Sequence, residues 1–425
     1  MEIILNPTPD TWEALAERNI PDDAAIAQSV TDIVRTVRTE GDAALRRYAL
    51  QFDGAQLTAL ELSHEEMAAA AANVSDEVKK AIATAAKNIA AFHMAQRPHT
   101  VDVSTQPGVR CLQRAVPIRR VGLYIPGGRA PLFSTVLMLG LPAKIAGCEE
   151  IILCTPQNSE GRIAPEIIYS AGVCGIRRIF RVGGAQAIAA MAYGTESIPR
   201  VDKIFGPGNR YVTKAKQLAT DSVAIDMPAG PSEVLVMADA SARPDFVAAD
   251  MLSQAEHGPD SQAILVCQTT KFAEQVQTEI ERQAALLTRG ASVASSLSHS
   301  RIIVLNSRES MIGFANAYAA EHLIISMEQP WEVADKITAA GSIFIGNYSP
   351  ESAGDYASGT NHTLPTGSWA RAYSGVNIDS YVRKITYQEL TPEGLGALAS
   401  AITTMADAEG LDAHAAAVKI RLGQS

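Results

Sequence analysis

Aromatic residues are scarce in this sequence, and its cysteines are few and isolated. Phe, Trp and Tyr together make up 5% of the 425 residues, so the core has to be built mainly from aliphatic side chains. The five cysteines form no Cys-x-x-Cys pair, which argues against a disulfide framework and against a zinc ribbon. We therefore expect free thiols that are mostly buried.

Long apolar runs and basic runs are also missing. No stretch of about 20 apolar residues occurs, so we expect no transmembrane helix, and the first residues lack the basic and apolar regions of a signal peptide. The 36 basic residues are outnumbered by 46 acidic ones, which gives a net charge of −10, and no basic run would follow a phosphate backbone. The sequence predicts a cytoplasmic protein that binds neither membranes nor nucleic acid.

What the sequence does contain, from about residue 117, is a regular alternation of short apolar runs and helical patterns. Nearly continuous apolar strands joined by helices are typical of parallel sheets covered on both faces. The region is too long for one sheet of average size, so we expect two α/β layers with ligands at the carboxyl ends of the strands. Residues 7–96, with a helix start at Pro21-Asp22-Asp23, and the residues after about 390 are predicted to be helical.

Three glycine-rich turns follow predicted strands. They are Pro126-Gly-Gly-Arg129, Val182-Gly-Gly-Ala-Gln186 and Phe205-Gly-Pro-Gly-Asn209. Each presents backbone N–H groups near a strand end, which suits a phosphate or pyrophosphate, although a tight turn without a ligand has the same pattern. The Gly-x-Gly-x-x-Gly fingerprint is absent, so the motifs do not support a standard Rossmann dinucleotide site.

Two helix ends supply candidates for metal binding and for acid–base chemistry. Gln254 and His257 are three residues apart and share one side of a helix that ends there. They can bind a metal, with Asp355 completing the site, or His257 can simply complement the helix dipole while Asp355 occupies a solvated turn. Glu321 and His322 are adjacent at a helix–strand junction, where they form a reasonable general-base pair or a solvated pair.

Taken together, these motifs resemble those of the histidinol dehydrogenase family. The most characteristic are Ile225-Asp-Met-Pro-Ala-Gly-Pro-Ser-Glu-Val234 and Ser253-Gln-Ala-Glu-His-Gly-Pro-Asp260. Further matching segments, in the order of the family, are 121–128, 182–187, 204–209, 321–322, 354–356, 359–366 and 409–414. The resemblance covers nearly the whole chain and implies an α/β fold with two incomplete Rossmann-like, aldehyde-dehydrogenase-like domains.

The resemblance also implies an activity. It implies an NAD-dependent and zinc-dependent four-electron oxidation of L-histidinol to L-histidine through L-histidinaldehyde, the last step of histidine biosynthesis. One Zn²⁺ per subunit is implied, in a homodimer whose two subunits share each active site. The implied zinc ligands are Gln254, His257, Asp355 and, from the partner subunit, His414. These four residues are also implied to line the substrate site.

Each remaining site residue takes its implied role from the same resemblance. His322 resembles the general base of both hydride transfers and contacts the substrate, and Glu321 resembles the residue that activates water. Ser232, which could otherwise simply start a strand, resembles a substrate contact, as does Glu409 of the partner subunit. The implied NAD contacts are Tyr124, Gln186 and Asn209, which lie in or next to the three glycine-rich turns.

The resemblance implies a division of the chain into four parts. We expect an N-terminal helical segment over 1–25, a first and discontinuous α/β domain over 26–120 and 231–375, a second α/β domain with the NAD-binding turns over 121–230, and a helical tail over 376–425 that reaches the partner subunit.

Three alternatives stay open. A related zinc and NAD enzyme could act on another amino or sulfonated alcohol, with the same metal and base residues. A metal-binding module without catalysis is also possible, although the intact Glu321–His322 pair argues against it. A thiol at Cys111 or Cys148 could form a thiohemiacetal with an aldehyde, whereas the resemblance favours water activated by Glu321.

Overall fold

The architecture comes from a computed structural model that describes residues 1–18, 24–127, 131–228, 230–288 and 290–424. The predicted helix start at Pro21-Asp22-Asp23 and Arg129 of the first glycine-rich turn lie outside these residues. The strands are β1 (Glu2–Leu5), β2 (Val101–Gln106), β3 (Val109–Pro117), β4 (Arg120–Tyr124), β5 (Glu150–Thr155), β6 (Arg178–Arg181), β7 (Lys203–Phe205), β8 (Ala224–Ile225), β9 (Glu233–Ala238), β10 (Gln262–Cys267), β11 (Arg301–Val304), β12 (His322–Ser326), β13 (Ser342–Ile345) and β14 (Val382–Leu390).

Helices connect most of these strands. They are α1 (Trp12–Leu15), α2 (Ala24–Glu40), α3 (Asp42–Asp53), α4 (His64–Ala72), α5 (Asp76–Met94), α6 (Phe133–Ala146), α7 (Pro165–Cys174), α8 (Gly184–Tyr193), α9 (Arg210–Ala219), α10 (Pro244–Ala255), α11 (Thr270–Ala284), α12 (Gly290–Ser298), α13 (Arg308–Tyr318), α14 (Pro330–Ala334), α15 (Glu351–Tyr356), α16 (Pro392–Ala408) and α17 (Asp412–Arg421).

The larger sheet has six parallel strands in the order β1-β11-β10-β9-β12-β13. Side chains of β9 alternate between its two faces, as the period of a strand requires. Val234 and Val236 pack with residues of α10 and α11, whereas Leu235 and Met237 pack with residues of α13. Because both faces are covered, the central strands are apolar at nearly every position.

The smaller sheet has five parallel strands in the order β6-β5-β4-β7-β8. Val121 and Leu123 of β4 face a cluster that includes α6 and α7, and Ile152 of β5 faces a second cluster that includes α8 and α9. Two parallel sheets, each with helices on both faces, confirm the predicted α/β class and the prediction of two layers.

The helices between residues 24 and 94 cover the smaller sheet, which differs from our assignment of 26–120 to the same domain as 231–375. Val30 and Ile33 of α2 lie in the core beside β5, and Ile82 and Ile89 of α5 lie in the core beside β4. An amphipathic helix can bury its apolar stripe on any sheet that offers a matching face. The local pattern of the helix therefore does not reveal which sheet it will cover. The rest of the predicted division stays a prediction.

Two strands lie where we expected helical segments. β1, within 1–25, is an edge strand parallel to β11, and β14, within 376–425, pairs antiparallel with β3 in a separate three-stranded sheet, β14-β3-β2. None of the side chains in these two strands is fully buried, so neither strand lies in the core as a central strand does. Both owe their conformation to pairing partners far away in the chain.

The remaining general expectations concern cysteines and membranes. All five cysteines are free; Cys154, Cys174 and Cys267 are buried and the other two are partly buried, which confirms the prediction of mostly buried free thiols. None of the helices within the described residues combines the length and the apolar character that a membrane span requires.

Candidate active site

The candidate base lies at the amino edge of the larger sheet. His322 is the first residue of β12 and pairs with Val234, next to the start of β9. Gln254 and His257 lie at and just beyond the end of α10, before β10 starts. We expected ligands at the carboxyl edge of each sheet, whereas these candidate residues lie at the amino edge. They are carried by the connections that enter β9, β10 and β12.

The His322 imidazole is buried among acidic groups. Its Nδ1 lies 3.3 Å from the backbone carbonyl oxygen of Glu233, 3.6 Å from a carboxylate oxygen of Glu321 and 3.8 Å from one of Glu351. Its Nε2 lies 3.5 Å from a carboxylate oxygen of Asp355. Burial by itself would lower the pKa of His322, but the nearby carboxylates outweigh it and raise the pKa to about 10.

The contact with Glu233 defines the roles of the two ring nitrogens. If Nδ1 carries a proton in the neutral ring, it donates to the Glu233 carbonyl oxygen, and Nε2 is left with a lone pair. Nε2 is buried and has no hydrogen-bond partner among the described residues. It is therefore the ring atom that can accept a proton from a bound molecule.

Three side chains bring metal-binding atoms together beside His322. One atom each from His257, Glu351 and Asp355 lies within 4.8 Å of the others, and His257 Nε2 is 4.0 Å from Asp355 Oδ2. Burial by itself would raise the pKa of Asp355, but the nearby His322 ring outweighs this effect and lowers the pKa. Asp355 is thus ionised near neutral pH and can face a cation.

Glu351 is a site residue that the sequence interpretation missed. Its side chain is 1% exposed, and neither carboxylate oxygen has a hydrogen-bond partner among the described residues. Burial raises its pKa to about 8. The available signal was the spacing of four between Glu351 and Asp355, which places both on one face of α15. The small and polar residues around them hide this short helix.

Gln254 is the most unusual polar residue of the cluster region. It is fully buried, and neither its amide oxygen nor its amide nitrogen has a hydrogen-bond partner within the described part of the chain. A buried polar group without a partner costs about 1–3 kcal/mol. Such an amide is suited to coordinate an ion or to contact a polar ligand, and this agrees with its predicted role as a metal ligand.

His362 is a second residue without an assigned role in the sequence interpretation. Its Nδ1 lies 2.8 Å from the backbone carbonyl oxygen of Asp355, and its Nε2 lies 3.0 Å from Thr135 Oγ1 at the start of α6. Burial lowers its pKa. His362 therefore connects the Asp355 cluster to a helix that packs on the smaller sheet. The position of a lone histidine in a polar loop carries no signal for such a bridge.

The three predicted NAD contacts lie at the carboxyl edge of the smaller sheet. Tyr124 ends β4, and its hydroxyl oxygen accepts a hydrogen bond of 3.1 Å from the Gly184 N–H at the start of α8. Gln186 is buried in the first turn of α8. Asn209 caps α9, where its side chain accepts hydrogen bonds of 3.1 Å from the backbone N–H groups of the second and third helical residues. This is the edge at which we expected ligands.

The turn after β7 requires glycine. Gly206 has φ +130°, and a Cβ atom at this position would collide with the backbone carbonyl of Tyr124. This close approach brings the turns after β4 and β7 together beside the start of α8. The glycine-rich pattern thus reflects a real steric demand.

The substrate contacts predicted outside this cluster lie in two places. Ser232 is partly buried and immediately precedes β9, and its carbonyl oxygen accepts a hydrogen bond of 3.1 Å from the Gln262 N–H. Glu409 follows α16 and His414 lies in the first turn of α17, and both are exposed. Within the described residues, the group of metal-binding side chains around Asp355 does not include His414.

Comparisons with known proteins agree on one family. Residues 16–422 match the family model described as histidinol dehydrogenase. The chain belongs to this family. It is 53% identical over 423 residues to the histidinol dehydrogenase of Bacteroides thetaiotaomicron, with 99% of both chains covered. It is 54% identical to that of Escherichia coli strain K12, with 94% of this chain and 92% of the relative covered.

A solved member of the histidinol dehydrogenase family has the same fold. The crystal structure of the Elizabethkingia anophelis enzyme matches with a TM-score of 0.97 at 51% identity, over 100% of this chain and 98% of that chain. The predicted family and the prediction of an oxidoreductase are confirmed. The predicted roles of individual residues stay predictions.

Proposed function

We propose that the chain oxidises L-histidinol to L-histidine through L-histidinaldehyde, with two NAD molecules as successive hydride acceptors and one zinc ion per subunit. The observation that carries this proposal is that three groups at the amino edge of the larger sheet are buried without hydrogen-bond partners among the described residues: His322 Nε2, the Gln254 amide and the Glu351 carboxylate. A polar ligand or an ion would satisfy such atoms. Membership of the histidinol dehydrogenase family makes histidinol the first candidate for it.

His322 is the proposed general base of both oxidation steps. Its Nε2 would take the hydroxyl proton of the alcohol as hydride leaves the neighbouring carbon for NAD, and later a proton of the hydrated aldehyde. The imidazole must be neutral for this role. A divalent cation on Asp355 would lower the pKa of His322 toward neutrality, because like charges repel.

Glu321 is proposed to activate the water that hydrates the aldehyde. Burial raises its pKa to about 8, so its carboxyl group can hold or release a proton near neutral pH. One carboxylate oxygen is held by the Glu233 N–H at 2.9 Å, which fixes the group beside His322. Cys111 and Cys148 do not belong to this cluster, so water rather than a thiol is the proposed nucleophile.

The side chains around Asp355 fit a zinc ion. Zinc favours nitrogen and oxygen ligands of the kind that Gln254, His257 and Asp355 offer, and the unpartnered amide of Gln254 supports this choice. We propose His414 of the partner subunit as the fourth ligand. Zinc, when bound, would hold the imidazole and amino nitrogens of the substrate and polarise its reacting group. Ser232 and Glu409 of the partner subunit are the proposed further substrate contacts.

The carboxyl edge of the smaller sheet is the proposed NAD site, with contacts from Tyr124, Gln186 and Asn209. The closely packed glycine-rich turns and the starts of α8 and α9 lie at this edge, and the amino ends of helices favour a pyrophosphate. His362 and Thr135 connect this side of the molecule to the Asp355 cluster, so a cofactor there would lie toward the base.

The proposed homodimer explains the exposed tail. Met405 of α16 and Ile420 of α17 are 64% and 72% exposed, and an apolar surface of this kind favours a protein interface. A mixed dimer tests the shared site: one subunit carries His322→Asn and the other His414→Ala. Each variant alone should be inactive, and the mixture should regain part of the activity. No regain would refute the shared site.

The ratio of NADH formed to L-histidinol consumed tests the reaction itself. A ratio of two supports the four-electron oxidation, and a ratio of one would indicate an ordinary alcohol dehydrogenase. The alternative enzyme, which acts on another amino or sulfonated alcohol, is tested with a substrate panel. Turnover of histidinol no faster than that of the other alcohols would favour the alternative.

A further inference from the structure

Arg18 reaches from the N-terminal segment into the protein beneath the candidate base. Its side chain is 9% exposed, and that of its partner Glu233 is 1% exposed. The Arg18 Nε and Nη2 atoms donate to the two carboxylate oxygens of Glu233 at 2.8 and 2.7 Å. This is the bidentate geometry that fixes orientation as well as charge.

Glu233 is in turn bonded to the catalytic pair at three points. Its carboxylate accepts a hydrogen bond of 3.3 Å from the Glu321 N–H, and its own N–H donates to the Glu321 carboxylate at 2.9 Å. Its backbone carbonyl faces His322 Nδ1 at 3.3 Å. Any movement of Glu233 would therefore move the water-activating carboxylate and the ring that has to present Nε2.

Arg18 also holds the other end of the connection that presents this pair. Its Nη2 donates to the backbone carbonyl of Tyr318 at 2.8 Å, which is the last residue of α13, and the guanidinium lies 3.7 Å from the centre of the Tyr318 ring. The next residue, Ala319, has φ +54°, a conformation that favours glycine. Only two residues, Ala319 and Ala320, lie between Tyr318 and Glu321, so Arg18 fixes both ends of a short, tightly bent connection.

The donor pattern of Arg18 is complete. Besides the bonds above, its Nη1 donates to the Ala16 carbonyl and to Ser368 Oγ, both at 2.7 Å. A guanidinium has five N–H donors in a rigid plane, and the five contacts use both of its amino groups and Nε. A lysine has three donors on one nitrogen and cannot make the same set.

We propose that Arg18 is a positioning residue for the Glu321–His322 pair, acting through the Glu233 carboxylate and the Tyr318 carbonyl. The inference rests on the proposed function, in which these two residues are the acid–base groups. Stability alone would be a weak reason for the ion pair, because the cost of burying two charges offsets most of their attraction.

Two variants test the role. Arg18→Lys keeps the charge and loses the bidentate geometry, whereas Arg18→Met combined with Glu233→Gln removes both charges, so that no uncompensated charge is left in the core. The matched control is Arg301→Met, because Arg301 donates to the Leu15 carbonyl of the same N-terminal segment at 2.9 Å but makes no hydrogen bond to Glu233 within the described residues.

We expect kcat with L-histidinol to fall about 10- to 100-fold in both test variants, since small misplacements of reacting groups cost up to about 100-fold. KM and zinc content should stay within about twofold of wild type, and Arg301→Met should keep wild-type kcat. In the His322→Asn background, Arg18→Lys should have no further effect on the residual rate. Three results would each overturn the proposal. They are an unchanged kcat in folded Arg18 variants, an equal loss of kcat in Arg301→Met, and an equal further loss when Arg18→Lys is added to His322→Asn.

The ¹⁵N chemical shifts of the His322 ring test the positioning role without turnover. They separate it from the proposed function, because wild-type protein that forms no NADH from histidinol would refute the function and the role of Arg18 in that reaction. The ring shifts would still test whether Arg18 positions His322. Arg18→Lys should change them, because the hydrogen bond at Nδ1 depends on Glu233, and Arg301→Met should not. Identical shifts in Arg18→Lys and wild type would overturn the positioning role.

Discussion

The amino edge of the larger sheet and the carboxyl edge of the smaller sheet differ in how the side chains that we assign to ligand binding are held. At the first edge, Gln254, His322 Nε2 and Glu351 are buried without hydrogen-bond partners among the described residues. At the second edge, the Tyr124 hydroxyl and the Asn209 side chain accept hydrogen bonds from backbone N–H groups, and Lys216 donates to the Gly206 carbonyl at 2.9 Å and pairs with Asp226.

The second edge is braced further by the Asp226 carboxylate, which accepts a hydrogen bond of 2.8 Å from the Gly206 N–H. The two proposed sites would therefore bind in different ways, although both lie on parallel sheets. One leaves side-chain atoms for the ligand to satisfy. The other fixes a backbone turn in advance and leaves little for the ligand to reorganise.

Replacing the base should give the largest effect. His322→Asn should lower turnover by about 10²–10⁴-fold, because general base catalysis supplies a factor of this size, while zinc and NAD still bind. NADH formation, metal content and NAD titration measure the three properties. Wild-type turnover would refute the proposed base. Loss of zinc together with turnover would mean that His322 has a structural role in the first edge.

Breaking the bracing of the second edge should destabilise the fold. Lys216→Met leaves the Asp226 carboxylate buried and unpaired, which should lower the free energy of unfolding by about 3–5 kcal/mol and weaken NAD binding without changing zinc content. Urea denaturation and NAD titration are the measurements. The double variant Lys216→Met with Asp226→Asn removes both charges and should recover most of the stability. If it is no more stable than the single variant, the ion pair does not explain the loss.

Removing a proposed ligand should affect metal binding and leave the second edge intact. Asp355→Ala should weaken zinc binding by more than about 100-fold, because even the outer partners of zinc ligands contribute about 10- to 100-fold. Competition with a chelator measures the affinity, and a chelator should also abolish the activity of the wild-type protein. Tyr124→Phe is the control and should keep wild-type zinc affinity. Equal zinc affinities of Asp355→Ala and wild type would exclude Asp355 as a ligand.

The smallest effect is expected to have opposite signs at the two edges. Gln254→Met removes an unsatisfied buried amide and should raise the free energy of unfolding of the metal-free protein by about 1 kcal/mol, while zinc binding weakens. Asn209→Ala removes a helix cap that is already hydrogen-bonded and should lower the free energy of unfolding by about 1 kcal/mol. Chemical denaturation in the presence of a chelator measures both. If Gln254→Met also destabilises the metal-free protein, the Gln254 amide does have hydrogen-bond partners in the absence of metal, and the proposed contrast between the two edges is wrong.

Strong local patterns made most elements of the two parallel sheets predictable. The alternation of strands and helices predicted from about residue 117 is observed from β4 to β13, because continuous apolar runs and glycine-terminated helices are local signals. β1 and β14 escaped prediction, since β1 has only four residues, β14 is mostly exposed, and both depend on remote pairing partners. Glu351 and His362 escaped for a related reason: both lie in a polar segment that reads as a loop.

The α/β class, the family and most of the candidate residues could be predicted from the sequence, because apolar periodicity and family motifs are carried by short stretches of chain. The contacts of the folded chain were needed to see which edge of each sheet the candidates occupy, which sheet the helices of 24–94 cover, and that Arg18 and Glu233 lie beneath Glu321 and His322. Burial and hydrogen-bond satisfaction depend on segments hundreds of residues apart. Arg18 and Glu233 are separated by 215 positions, and no local pattern encodes their contact.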